Sequence, residues 1–256
     1  TDSALVDNNY YTNVLAQSNL QLAGKYAHKY KDDDGMLTRL NVTDEEVRDM
    51  EEAAAAMYLP YDKEKNVKLQ FQNFEQLPKM DIASIDQSMF PLLLNYHPLM
   101  LYRHQVNKQA DTVMVDFMFP EGNTLAQLKS DYEFYEPITT HDSSLSKAIC
   151  AIIAARIGKD QQSYDFFSQA VQTDLMDVHH NTKNGIHAGS LGAAWEGIIY
   201  GFAGVVNNAK SFSLQPHLLG TASNLRCICM AMNFSSLFIK IRWKWTWLVE
   251  KARILP

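Results

Sequence analysis

The chain has 256 residues, 46% of them apolar, which is enough for a substantial hydrophobic core in one or two domains. Its formal net charge of −6 excludes the basic surface with which nucleic-acid-binding proteins neutralise phosphates. Three cysteines without a C-x-x-C pair argue against a disulfide framework or a structural zinc, and they favour a reducing, cytoplasmic location. The lack of a signal peptide or a long apolar run argues against a membrane partner.

The first part of the chain shows helical periodicity. Tyr11, Leu15, Leu22 and Tyr26 recur at helical spacing and predict an N-terminal helix with one apolar face. The run KDDDG at residues 31–35 breaks this pattern and predicts a loop.

A second helix is predicted by its start signal. Thr43 followed by Glu46 is a capping box, in which each side chain satisfies a free amide of the first turn, and the helix should continue to Ala56. Residues 58–89 then lose periodicity and contain Pro60 and Pro78, which predicts a long ordered surface loop.

Four later helices and a terminal β region complete the predicted architecture. The helices are indicated by apolar sets at helical spacing: Ala110, Val113 and Phe117; Ile149, Ile152, Ile153 and Ile157, ending at Gly158; Tyr164, Phe167, Val171 and Leu175; and Trp195, Ile198, Ile199 and Phe202. Residues 211–219 and 234–249 are typical of strands. We therefore expect a mainly α protein, with helices over 1–206 and a small β domain over 207–256.

Two polar clusters could bind ligands in the middle of the chain. Lys108 and Gln109 place a cation beside an amide, a pair that suits sugar hydroxyls, although a solvated helix face would look the same. Ser143 and Ser144 precede a helix, where free amides and the helix dipole favour an anion, although ordinary N-capping is the alternative. A nucleophilic pairing of His141 with Ser143 is disfavoured, because no G-x-S-x-G elbow is present.

Two further clusters contain histidine. The stretch NGIHAGSLG at residues 184–192 combines glycines, which allow a ligand to approach the backbone closely, with His187. It fits an anion site or a turn with a satisfied histidine equally well. His179 and His180 lack carboxylates at ligand spacing, so no metal site is expected there.

Five strings in sequence order resemble the disaccharide phosphorylases of glycoside hydrolase family 65. They are VDNNYYTN at 6–13, HPLMLYRHQVNKQAD at 97–111, YEPITTHDSSLS at 135–146, GIHAGSLG at 185–192 and GFAG at 201–204. The resemblance implies part of an (α/α)6 barrel followed by a small C-terminal β-sandwich. It also implies inverting phosphorolysis of an α-linked glucosyl disaccharide to β-glucose 1-phosphate, with inorganic phosphate as co-substrate, no cofactor, and a homodimeric complete enzyme.

The same resemblance assigns roles to the clusters. Lys108 and Gln109 would bind the glucosyl unit; Ser143, Ser144 and His187 would bind phosphate, with His141 supporting the serines. The family's general acid is the glutamate of GPDEY, a motif that we expect upstream of Thr1, so this chain alone should be inactive. Residues 221–231 depart from the family pattern.

Two other functions are compatible with the residues. A hydrolase on a related helical barrel would use water and a carboxylate base, and a non-catalytic carbohydrate-binding module would need no acid. Within the family, NYHPLMLYRHQ and HHNTKNGIHAGS resemble trehalose, trehalose 6-phosphate and kojibiose phosphorylases more than maltose phosphorylases.

Overall fold

The computed structural model describes residues 5–31, 35–178, 180–208 and 211–217, with only the backbone described at 207, 208, 211 and 212. This part of the chain is mostly helical, as the sequence predicts. It divides into two compact units. The first comprises the described residues up to Met118 together with Glu133–Thr140, and the second comprises Phe119–Tyr132 with the described residues from His141 onward.

The first unit contains short and long helices around a small hairpin. Its elements are α1 (Tyr10–Lys29), α2 (Met36–Arg39), α3 (Asp44–Ala56), β1 (Tyr61–Asp62), β2 (Val67–Lys68), α4 (Leu92–Asn95), α5 (Pro98–Tyr102) and α6 (Asp111–Met118). The predicted N-cap is confirmed at the start of α3, where Thr43 Oγ1 accepts a hydrogen bond from the Glu46 amide at 3.1 Å, which is the first of the two bonds of a capping box. Two of the five residues of the predicted KDDDG loop, Lys31 and Gly35, are described, and both lie in turns.

The predicted apolar face of α1 differs from the face that the helix buries. Leu22 and Tyr26 are 46% and 45% exposed, whereas Tyr10, Gly24 and Ala27 are buried. Helix α1 packs against α3, and Gly24 lies on the side that meets it. A methyl group at Gly24 would lie 3.0 Å from Glu51 Cγ, so the missing side chain at this position makes room for the Glu51 side chain.

The segment of residues 58–89, predicted as a long ordered loop, contains a short hairpin and several 3-10 turns. β1 and β2 pair antiparallel, with Tyr61 opposite Lys68, and three 3-10 turns follow, at Phe74–Gln76, Ile82–Ser84 and Gln87–Met89. Phe74 is the buried anchor of this segment, with its ring 6.1 Å from that of Tyr135.

A buried ion pair joins the hairpin to α6. The Lys68 ammonium donates to the Asp116 carboxylate, and both side chains are almost fully excluded from solvent. The Tyr135 hydroxyl donates to the Lys68 carbonyl at 2.6 Å. Removing one partner of such a pair takes away the opposite charge bonded to a buried ion, which is strongly destabilising.

The second unit is built on three helices that the sequence predicts and one that it misses. The confirmed helices are α8 (Ser146–Arg156), α9 (Asp160–Leu175) and α10 (Ala188–Glu196), the last continued by a π-helical segment, Gly197–Phe202. Gly158 ends α8 with φ +78°, as expected for a C′ glycine. The helix missed is α7 (Leu125–Tyr135), most of which belongs to this unit.

Helix α8 is the centre of the second unit. Apolar residues cover its whole circumference, and α9, α10 and the π-helical segment pack against it. Ala148, Ala170 and Ala193 form the contact of α8, α9 and α10, where small side chains let the helices approach. The Ser163 hydroxyl donates to the Ala151 carbonyl at 2.8 Å and so ties α9 to α8.

A short hairpin follows the π-helical segment. β3 (Val205–Asn208) pairs antiparallel with β4 (Ser211–Leu214), so part of the strand predicted at 211–219 is present. The strand predicted at 234–249, and with it most of the β domain predicted at 207–256, lies outside the described residues. In the part of the chain that is described, no helix is long and apolar enough to cross a membrane.

Candidate active site

The predicted sugar-binding pair lies on a turn in the first unit. Residues 105–107 are extended and bonded on both sides: the Gln105 amide donates to the Pro78 carbonyl at 2.9 Å, and the Asn107 amide donates to the Ile138 carbonyl at 2.8 Å. Lys108 and Gln109 follow directly and are exposed, immediately before α6 begins. The surrounding backbone therefore holds this pair at a fixed place while leaving both side chains accessible.

Asp111 orients one member of this pair. The Gln109 Nε2 group donates to Asp111 Oδ1 at 3.0 Å. Burial raises the pKa of Asp111, and the hydrogen bond from Gln109 opposes that rise. Because the amide nitrogen is engaged, the amide oxygen of Gln109 is the natural acceptor for a ligand hydroxyl.

The predicted serine pair lies just before α8, in the second unit. Ser143 and Ser144 are half-buried in a turn, and the Leu145 amide points to Ser143 Oγ at 3.4 Å. The Ser143 carbonyl accepts from the Ser146 amide at 3.1 Å. The pair thus precedes the first turn of an 11-residue helix, as the sequence predicts.

His141 is held by this turn in an unusual backbone conformation, with φ +55°. Its Nδ1 lies 3.0 Å from Ser146 Oγ, and its ring packs 4.9 Å from that of Phe166. Burial, together with the nearby charge of Lys147, lowers the pKa of His141 to about 4. His141 is therefore neutral near pH 7, and the hydrogen bond that the structure shows goes to Ser146.

His187 is bound to a carboxylate that the sequence analysis did not select. The backbone amide of His187 donates to Asp174 Oδ2 at 2.8 Å, and its ring Nδ1 lies 2.5 Å from Asp174 Oδ1. The hydrogen bond from His187 is the main reason that the pKa of Asp174 is lowered. One aspartate near the end of α9 therefore fixes both the backbone and the ring of His187.

The serine turn and the His187 loop meet. A methyl group at Gly189, two residues after His187, would lie only 2.8 Å from Leu145 Cδ2. Leu145 directly follows Ser144, so the starts of α8 and α10 lie side by side. The structure thereby brings together the two segments for which the sequence predicts an anion site.

Of the two adjacent histidines, the structure describes only His180. His180 is exposed and has a left-handed backbone conformation, with φ +52°, while His179 lies outside the described residues. Among the described side chains, no group of three His, Cys, Asp or Glu residues is arranged to hold a metal ion.

Comparison with known proteins identifies the family of this chain. Residues 3–196 match the model of the glycosyl hydrolase family 65 central catalytic domain. The chain belongs to glycoside hydrolase family 65. All six predicted site residues fall within the matched family 65 range.

Several family 65 phosphorylases are similar to this chain. The α,α-trehalose phosphorylase of Geobacillus stearothermophilus is 42% identical over 219 residues, which cover 84% of this chain and 29% of that protein. The kojibiose phosphorylase of Escherichia coli (strain K12) is 36% identical over 83% of this chain and 27% of that protein. A solved structure, described as a putative kojibiose phosphorylase from human microbiome, matches 82% of this chain and 30% of its own at 35% identity, with a TM-score of 0.75. The chain thus spans about 29% of the length of the first of these family 65 relatives.

Asp174 and Lys147 are candidate site residues of this family 65 chain that sequence reasoning missed. Asp174 lies in the last turn of α9, where the helix dipole disfavours a carboxylate, and this misfit is a signal that could have marked it. Lys147 lies one residue into α8, and burial lowers the pKa of its ammonium group.

Proposed function

We propose that this chain forms part of the (α/α)6 catalytic barrel of an inverting disaccharide phosphorylase. The reaction is attack of phosphate on the anomeric carbon of an α-linked glucosyl disaccharide, giving β-glucose 1-phosphate and the released sugar. Membership of family 65 and similarity to phosphorylases with three different named substrates support the reaction class. No cofactor is needed, because phosphate itself is the co-substrate and nucleophile.

One observation carries the proposed phosphate site. The serine turn before α8 and the glycine-rich loop before α10 are in contact through Leu145 and Gly189. Both segments end at helix starts, whose free amides and dipoles favour an anion. Ser143 and Ser144 would add hydroxyl donors and His187 a titratable ring, and such a site needs little formal positive charge.

Phosphate also explains why a catalytic base is unnecessary. An inverting hydrolase needs a second carboxylate to activate water. Phosphate is already an anionic nucleophile, so the protein has only to hold it in line with the anomeric carbon. His141, neutral and bonded to Ser146, would support the geometry of the serine turn without contributing charge.

Lys108 and Gln109 are the proposed ligands of the glucosyl unit. A lysine ammonium donates and a glutamine amide both donates and accepts, so the two side chains can bind neighbouring hydroxyls of one sugar. The hydrogen bond from Gln109 to Asp111 would keep the amide oriented before substrate arrives. A preorganised amide loses less conformational freedom on binding.

The proposed reaction also needs a general acid, which is a residue other than the proposed phosphate and sugar ligands. Phosphorolysis requires a carboxylic acid that protonates the leaving oxygen. We propose that this acid is a glutamate outside the 256 residues. In the family, the acid precedes the segment that residues 6–13 resemble. The active protein would then be a longer, cytoplasmic homodimer, and light scattering can test its dimeric state.

The proposed disaccharide is trehalose- or kojibiose-like, with maltose as a further candidate. Identity is 42% to a trehalose phosphorylase, 36% to a kojibiose phosphorylase and 29% to a maltose phosphorylase, and the sequence motifs likewise resemble the first two groups more than the third.

The test is a phosphate-dependence assay on the enzyme that includes the acid-bearing portion. Trehalose, kojibiose and maltose are each incubated with and without inorganic phosphate, and glucose 1-phosphate and free glucose are measured. Glucose 1-phosphate formed only with phosphate supports the proposal. Release of two free monosaccharides at a phosphate-independent rate would show a hydrolase, and saturable sugar binding without turnover would show a carbohydrate-binding module.

A further inference from the structure

The hydrogen bonds around Asp174 determine where the proton on His187 resides. The Asp174 pKa is lowered chiefly by the hydrogen bond from His187, so this carboxyl is ionised near neutral pH. An ionised carboxylate only accepts hydrogen bonds. Both atoms that approach it, the His187 backbone nitrogen at 2.8 Å and ring Nδ1 at 2.5 Å, must therefore be donors.

We infer that Asp174 is a positioning residue that fixes the Nδ1–H tautomer of His187 and thereby reserves Nε2 as the nitrogen that exchanges a proton with phosphate. The two carboxylate oxygens bind the backbone and the ring of one residue, which fixes the rotation of the ring as well as its tautomer. The inference rests on the proposed phosphate role of His187.

A defined tautomer matters because phosphate exists near neutral pH with one or two protons. A neutral ring with Nε2 unprotonated can accept a hydrogen bond from a protonated phosphate oxygen. An imidazolium, with its Nδ1–H bonded to Asp174, can donate from Nε2 to an unprotonated oxygen. A neutral ring in the Nε2–H form could donate to an unprotonated oxygen but could not accept the proton of a protonated one, so it could not take a proton from phosphate at Nε2.

Other titratable residues lie in the segments next to Asp174 and His187. Asp177 follows α9, and its carboxylate accepts from the Thr182 amide at 3.0 Å, which closes the loop. His180 and Lys183 lie in the same loop; Lys147 lies in the first turn of α8, and the neutral His141 lies in the segment that precedes α8. Of these, Asp174 is the side chain shown in contact with the His187 ring.

The test combines a tautomer measurement with phosphate binding on the 256-residue chain. Long-range 1H–15N NMR, recorded as the pH is raised until the histidine signals no longer change, reports which ring nitrogen carries the proton of the neutral ring. His187→Gln identifies the signal. We expect His187 to be protonated at Nδ1 in the wild type and to show the Nε2–H form in Asp174→Asn, because an asparagine can donate as well as accept.

Phosphate affinity is then measured by calorimetry for the same proteins. Asp174→Asn should bind inorganic phosphate about ten- to a hundredfold more weakly, the effect of losing one charge-assisted hydrogen bond. Asp165→Asn is the matched control, because it removes the same charge from α9 at a site bonded to Gln161.

Each result decides a separate point. An Nε2–H wild type, or unchanged phosphate affinity in Asp174→Asn, would overturn the inference. A wild type that is protonated at Nδ1 but binds no phosphate would overturn the phosphate role of His187 while the tautomer assignment stands. If Asp174→Asn does not fold, the wild-type tautomer together with the affinity of Asp174→Glu, which keeps the carboxylate, decides.

Discussion

At the scale of single residues, the two proposed subsites should separate in kinetics. His187→Ala removes a titratable donor from the phosphate site and should raise the KM for phosphate about ten- to a hundredfold, corresponding to roughly 1.5–3 kcal/mol for a charge-assisted hydrogen bond. Lys108→Ala should mainly raise the KM for the disaccharide. The measurement is initial-rate kinetics with each substrate varied in turn, on the enzyme that includes the proposed general acid.

The opposite pattern would contradict the assignment. If His187→Ala raised the disaccharide KM and left that for phosphate unchanged, the two loops of the second unit would not form the phosphate site. His180→Ala is a suitable control, because this exposed histidine lies on the preceding loop.

The buried His141 should make folding sensitive to acid. Its pKa is lowered from 6.5 to about 4 in the folded chain. In the unfolded chain this histidine therefore binds a proton below about pH 6.5, whereas in the folded chain it binds one only below about pH 4. Stability contributed by the neutral form is thus complete above pH 6.5 and is lost as pH falls through this window. The slope for one proton is at most about 1.4 kcal/mol per pH unit.

Urea unfolding at several pH values across that window checks this prediction. His141→Gln should unfold with a smaller dependence on pH than the wild type, whereas His180→Gln reports the effect of removing an exposed histidine from the same unit. An unchanged pH dependence in His141→Gln would show that His141 does not bury its neutral form.

The same scale shows where sequence reasoning about the site ended. The residue types and their order led to His187 and to the two serines. They could not reveal Asp174, because a carboxylate 13 residues before His187 meets it only after α9 and the following loop fold back. Nor could they show that His141 bonds to Ser146, since a left-handed backbone at His141 determines which way its ring points.

At the scale of elements, the contact between the starts of α8 and α10 can be tested by a double-mutant cycle. Gly189→Ala would place a methyl group 2.8 Å from Leu145 Cδ2. Leu145 is partly exposed and can move, so the cost should be at the low end of the overpacking range, about 1 kcal/mol. Leu145→Ala removes the clashing atoms, so the double variant should recover.

Phosphate affinity and urea stability are the two readouts of this cycle. Residues in contact commonly show coupling of about 0.5–3 kcal/mol. Additive effects of Gly189→Ala and Leu145→Ala in both measurements would show that the two helix starts are not in contact in solution.

The buried pair of β2 and α6 should respond differently to single and double replacement. Asp116→Leu removes the carboxylate that is bonded to the buried Lys68 ammonium and should cost roughly 3–5 kcal/mol of unfolding free energy. Lys68→Met combined with Asp116→Leu removes both charges and should be far less destabilising than Asp116→Leu alone. Chemical denaturation of the three variants measures this difference, and equal losses would indicate that packing, not charge, dominates at this site.

Helices were predicted correctly where the local sequence pattern matches the residues that the helix buries. Helix α3 is marked by the capping motif of Thr43 and Glu46 and α8 by a run of apolar residues, and both helices are present. α7 was missed because Asp131, Lys129 and Glu133 interrupt its apolar pattern; Asp131 is nevertheless fully buried, bonded to Gln127 at 2.9 Å. A charged residue in a sequence usually indicates an exposed position, but hydrogen bonding in the folded chain allows Asp131 to be buried. A single sequence does not show such a contact.

At the scale of the whole molecule, the 256-residue chain alone should catalyse no phosphorolysis. A general acid contributes roughly two to four orders of magnitude to the rate, and the proposed donor lies outside this chain. Purified chain is incubated with trehalose or kojibiose and phosphate, in a host preparation shown free of endogenous phosphorylase. Formation of glucose 1-phosphate above that background would contradict the placement of the acid.

The π-helical segment after α10 has a consequence for protein engineering. The Ala203 amide donates to the Ile198 carbonyl at 2.9 Å, five residues back, so this turn holds one residue more than an α-helical turn. Each α-helical residue advances by about 100°, so side chains at the end of the segment are rotated by about that angle relative to an uninterrupted α-helix. Phe202, the last residue of the segment, meets Phe167 edge-to-face at 4.9 Å in this rotated register. A chimaera that joins this chain to a relative should therefore place its junction before Gly197 or after Ala203, because a cut inside the segment would divide the hydrogen bonds that set the position of Phe202.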